Sequence, residues 1–140
     1  MKNLNFTHFL IIFLTVLLMS FTKPIETKKQ MIGTWQICRS DSSLETKLGG
    51  KEGATRYFII GQKTFVIADV DLNENTFVAD FIGSYSLDNN IYKEQIKYTH
   101  PSLKSFKGNV LKFQINLKNG YLIKKGIDNS YNEIWKYIEL

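Results

Sequence analysis

"NVLKFQINLKNGYLIKK", residues 109–125, decides the fold. Leu111, Phe113, Ile115 and Leu117 fall on one face of an alternating run, and Lys112, Gln114 and Asn116 fall on the other. Period two is the mark of a half-buried strand. "KNG" (118–120) then supplies a glycine free to take positive φ, and a second apolar run begins at Tyr121. Two such runs joined by so short a turn make an antiparallel hairpin.

The same pattern continues in both directions. Eight strands are expected: Gly33–Arg39, Arg56–Ile60, Thr64–Asp71, Thr76–Tyr85, Ile91–Tyr98, Asn109–Leu117, Tyr121–Lys125 and Asn132–Ile138. "GQK" (61–63), "DLNENT" (71–76), "SLDNN" (86–90) and "GIDNS" (126–130) punctuate them. No long helical period intervenes. The expected class is all-β, an eight-stranded antiparallel up-and-down β-barrel, because closing such a sheet removes its exposed edges. Two connections are longer, 40–54 and 99–108, and one of them is the expected lid.

Alternation assigns the inner rows. Tyr92, Glu94, Ile96 and Tyr98 share a face opposite Lys93, Gln95 and Lys97. Phe77, Ala79, Phe81, Gly83 and Tyr85 form a second row, with Gly83 allowing a bend. Trp35, Ile37 and Arg39 share a face on the first strand. On the last, Glu133, Trp135 and Tyr137 oppose Ile134, Lys136 and Ile138, and alternation leaves the inner side open.

The chain of 140 residues begins with one lysine, an apolar run from Phe9 to Met19, and small polar residues. That layout predicts a signal peptide over 1–22, followed by a linker or single helical turn over 23–30 and the barrel domain over 31–140. The apolar run is short for a span of about 20 residues. The expectation is an exported protein, periplasmic or extracellular, soluble after cleavage and without a stable membrane span. Lys2 falls in the leader, so 17 basic residues face 13 acidic ones in the remainder. The lysines are scattered, which argues against a nucleic-acid face. Cys38 is the single cysteine, excludes an internal disulfide, and reads as a packed residue.

Metal and catalytic signatures are missing from the spacing. Outside the leader there is one histidine, His100, beside Pro101 in a loop. "DVDLNEN" (69–75) lacks the glycine and closing glutamate of an EF-hand loop. No G-x-S-x-G, P-loop or dinucleotide fingerprint occurs. No cofactor is expected, and the chain reads as a non-enzyme.

"MIGTWQIC" (31–38) places Gly33 and Trp35 two apart on the first strand, and "IWK" (134–136) places a basic residue after the tryptophan of the last. With eight antiparallel strands, these features resemble the lipocalin and calycin superfamily. Gly33-Thr34-Trp35, Ser84-Tyr85, Tyr92-x-Glu94-x-Ile96 and Glu133-Ile134-Trp135 resemble, more closely, a family of small exported bacterial lipocalin-like domains of unassigned function. The resemblance implies barrel closure by Gly33, Trp35, Trp135 and Lys136. Lys136 stands where many lipocalins carry an arginine across the first tryptophan, and Arg39 or Arg56 is the alternative cation. The third and fourth strands read as short for a deep cup.

Glu94 stands out. An inward carboxylate must find donors or stay protonated. Tyr85, Tyr92, Tyr98 and an inward arginine are the expected partners. Arg39, Tyr85, Tyr92, Glu94, Tyr98 and Phe113 are the expected ligand-binding set. The expected function is the binding of a small hydrophobic or amphipathic molecule in the barrel. A filled barrel acting as a structural or protein-interaction module is the alternative.

Overall fold

The computed structural model describes residues 23–139, so the expected leader over 1–22 lies outside the described residues. A helix α1 (Lys23–Met31) leads into strands β1 (Gly33–Cys38), β2 (Lys47–Leu48), β3 (Lys51–Glu52), β4 (Ala54–Ile60), β5 (Thr64–Asp71), β6 (Thr76–Asp88), β7 (Ile91–Thr99), β8 (Val110–Lys118), β9 (Tyr121–Ile127) and β10 (Asn132–Ile138). A 3₁₀ segment, Pro101–Phe106, joins β7 to β8. Each of the eight long strands is antiparallel to its neighbours, and β1 pairs with both β10 and β4, which closes the barrel. The small β2–β3 hairpin is attached to β4 and lies outside the cycle.

The eight expected strands all form. The segment 23–30, expected as a linker or single helical turn, forms most of α1, with Pro24 in its first turn and Lys28 and Lys29 in its last. Both placements suit a helix: proline lacks an N–H that would be unpaired there, and cations complement the C-terminal carbonyls. The fourth expected strand is not short. As β6 it runs 13 residues and pairs along its length with β5 and β7.

The helix and the turns at 61–63, 89–90 and 119–120 share one end of the barrel. Met31 is buried there, and the Trp35 indole N–H donates to its carbonyl at 2.9 Å. Tyr137 sets its ring edge against Trp35, with centroids 5.2 Å apart, and lies over Gly33. A Cβ on Gly33 would come within 2.5 Å of that ring, and its φ of +145° also disfavours any other residue. Trp35 is thus sealed by Tyr137. Lys136 faces outward and is exposed, contrary to the expectation that it lies on the tryptophan.

Two β-bulges break the alternation. In β5–β6, Ile67 pairs with Phe81 and Ala68 with Ala79, so Asp80 is the extra residue. In β6–β7, Ile82 pairs with Tyr98 and Gly83 with Ile96, so Lys97 is extra. Each insertion shifts the faces beyond it. Phe77, expected inside, is 73% exposed, and Tyr98 is 65% exposed.

Candidate functional site

The end of the barrel opposite α1 is hollow. A cavity of about 250 Å³ opens among β4 to β8, β10 and the 3₁₀ segment. Phe65, Ile67, Ile96, Leu111 and Phe113 supply apolar wall, while Leu103 and Phe106 reach over it from the 3₁₀ segment. The Phe81 and Phe106 rings meet edge to face at 5.6 Å. The 3₁₀ segment is tied down at both ends: His100 N–H donates to the Asp80 carbonyl at 2.9 Å, and Gly108 N–H to that of Ile96 at 2.9 Å. Of the two long connections, 99–108 is therefore the one that covers the mouth. Segment 40–54 instead packs outside, where Thr55 Oγ1 donates to the Glu45 carbonyl at 2.6 Å.

Beneath the cavity lies a fully buried lysine. Lys124 Nζ bonds Glu94 Oε1 at 2.7 Å and Glu133 Oε2 at 2.9 Å. It also sits 4.1 Å from the Phe113 ring centroid and 4.6 Å from that of Phe58. Burial works against its charge, but Glu94 and Glu133 outweigh it and hold the ammonium above its usual range. Burial pushes the Glu94 carboxyl up despite Lys124. Burial also works on Glu133, but there Lys124 and the Trp135 N–H, 3.0 Å away, prevail and pull it down.

Nearer the mouth, Arg56 binds Asp69 with two nitrogens, Nε at 2.5 Å and Nη2 at 2.9 Å, and reaches Asp80 Oδ2 at 2.7 Å. Burial opposes the Arg56 charge, and Asp69 and Asp80 override it. Burial and the neighbouring Asp69 raise the Asp80 carboxyl in spite of Arg56. The Asp80 bulge places this carboxylate and Phe81 side by side on the cavity wall. Among the described residues, no three His, Cys, Asp or Glu side chains are grouped as metal ligands.

The family described as "Domain of unknown function (DUF4488)" matches residues 30–140, which takes in the whole barrel. The chain belongs to the DUF4488 family. No curated protein matches it.

On this DUF4488 barrel, the expected binding residues divide. Glu94 and Phe113 line the cavity. Tyr92 is fully buried in the barrel, beside Phe58 and Tyr85, and lies outside the cavity lining. Tyr85 belongs to the closed end, where its hydroxyl donates to the Gly61 carbonyl at 2.8 Å. Arg39 is half exposed and paired with Glu45 at 3.3 Å, because β1 ends at Cys38 and the chain turns out. Tyr98 is turned out by the Lys97 bulge. Trp135 is buried next to Phe58, which fixes Glu133, Trp135 and Tyr137 as the inner side of β10.

The expected site residues do not include Lys124, nor Arg56, Asp80 and Glu133 as lining. One signal for Lys124 does exist in the DUF4488 sequence. The hairpin at 118–120 sets Leu117 opposite Leu122 and Ile115 opposite Lys124. Cross-strand partners share a face, so the inner row of β8 carries Lys124 inward. Cys38 is buried and its thiol is pushed up chiefly by burial, as a packed residue should be.

Proposed function

We propose that the protein is an exported, non-enzymatic, lipocalin-like carrier that binds a small, partly apolar molecule at the open end of its barrel. The observation that carries this reading is the cavity of about 250 Å³ with an apolar wall and a few polar groups. An engineered protein cavity of about 150 Å³ already accepts benzene. The up-and-down barrel, the Gly33-x-Trp35 seal and the helix at the closed end support the lipocalin-like part. The apolar leader supports export.

Calorimetry with naphthalene tests the reading. One saturable site per chain is expected. Leu111→Trp, which fills the cavity, is expected to abolish binding while the far-ultraviolet circular dichroism stays unchanged. Wild-type protein that takes up neither naphthalene nor partly apolar probes of similar size, such as 2-phenylethanol and 2-phenylethylamine, sinks the reading. A second reading, an interaction module, draws on the exposed Leu72, Phe77 and Val78 at the β5–β6 hairpin. It wins if uptake survives Leu111→Trp and is lost in Phe77→Ser.

A further inference from the structure

We propose that the cavity selects a small organic cation, an amine on an apolar body, drawn by the negative charge of its wall, to which Asp80, Glu94 and Glu133 contribute. The proposal rests on the reading of the cavity as a ligand site and names the class of ligand.

The charges around the cavity do not balance. Asp69, Asp80, Glu94 and Glu133 face two cations, Arg56 and Lys124. Both cations are already engaged. Arg56 spends Nε and Nη2 on Asp69 and Asp80, and Lys124 spends Nζ on Glu94 and Glu133. Each lining carboxylate uses one oxygen in these bonds: Asp80 Oδ2, Glu94 Oε1 and Glu133 Oε2. All three side chains line the same cavity. Four carboxylates against two cations leave the uncompensated charge negative.

An anionic ligand would meet three carboxylates in a poorly solvated space, where like charges repel strongly. A neutral apolar ligand can fill the apolar part of the cavity but leaves the excess negative charge uncompensated. An ammonium supplies three donors and one positive charge. The carboxylates are not grouped as a metal shell, while Phe81, Leu103, Phe106 and Phe113 offer an apolar bed. Those two facts favour an organic cation over a metal ion, with aromatic faces adding attraction for the charge.

Calorimetry at neutral pH with 2-phenylethylamine, 2-phenylethanol and phenylacetate separates the possibilities. The amine is expected to bind at least about tenfold more tightly than the alcohol, with phenylacetate weakest. Asp80→Asn and Glu133→Gln are each expected to erase most of the amine's advantage over 2-phenylethanol. If either variant fails to fold, the ranking of the three probes on wild-type protein still decides. An alcohol or acid that binds as tightly as the amine overturns the cation assignment and leaves the carrier reading standing. Binding of naphthalene with none of the three probes bound has the same consequence. If naphthalene and all three probes fail, the carrier reading falls and the cation assignment falls with it.

Discussion

Lys124 carries the largest electrostatic stake in the molecule. Its ammonium has no contact with solvent and depends on two carboxylates and the faces of Phe58 and Phe113. Removing one partner of a buried ion pair leaves the other charge unpaired, at a cost of about 3–5 kcal/mol. Lys124→Met is therefore expected to destabilise by that amount in urea titrations at neutral pH, because Glu94 is left without a counter-ion. The double variant Lys124→Met/Glu94→Leu is expected to recover part of the loss, since Glu94 then needs no counter-ion while Glu133 keeps only the Trp135 N–H. A single-variant cost below about 1 kcal/mol would show that the cluster does not hold the interior as described. The sequence hides this residue in plain view. "IKK" at the end of a short apolar run looks like a solvated strand end. The hairpin register does place Lys124 opposite Ile115, but nothing local says that Glu94 and Glu133 meet it there.

At the level of elements, the bulges separate what alternation reads well from what it misses. β7 as far as Ile96, and β8 throughout, keep the expected faces. Beyond the extra residues Asp80 and Lys97 the faces shift, and Phe77 and Tyr98 turn outward. A bulge is set by how two distant strands meet, so one strand's residues need not announce it. The same meeting explains Gly83. At this point β7 comes so close that a Cβ would collide with the Gln95 carbonyl and the Phe65 ring. Gly83→Ala is expected to cost about 1–3 kcal/mol in chemical denaturation, as an overpacked site with backbone on one side. Gly120→Ala serves as the control for added volume, because nothing lies within 4 Å of its Cβ position. Its positive φ of 76° adds a separate backbone penalty. A Gly83→Ala variant as stable as wild type would mean that β6 and β7 can part without loss, against the register described.

The whole molecule divides into a sealed end and a hollow one, and the sequence signals the first far better. Gly33, Trp35 and the tight turns are local features, whereas the cavity lining comes from six strands and the 3₁₀ segment and includes the bulged Asp80. Buried titrating groups, from Tyr85 at the closed end to Lys124 beneath the cavity, set the response of the whole fold to alkali. Burial raises the Tyr85 and Tyr92 phenols above 10.0, and Glu94 and Glu133 hold Lys124 above 10.5. In all three the folded state grips its proton more tightly than the unfolded chain does. Their contribution is therefore fully present below about pH 10 and is lost as pH rises through the raised folded values. Each such group adds a slope of up to about 1.4 kcal/mol per pH unit. Urea midpoints measured from about pH 8 to about pH 11 are expected to fall steeply at the upper end. Tyr92→Phe tests one group alone. Its hydroxyl has no partner among the described residues, so its removal is expected to stabilise by up to about 1 kcal/mol at neutral pH. The same variant is expected to flatten the alkaline slope by about one proton. A loss of more than about 1 kcal/mol in Tyr92→Phe at neutral pH would mean that the hydroxyl is satisfied, and the alkaline slope would then rest on Tyr85 and Lys124.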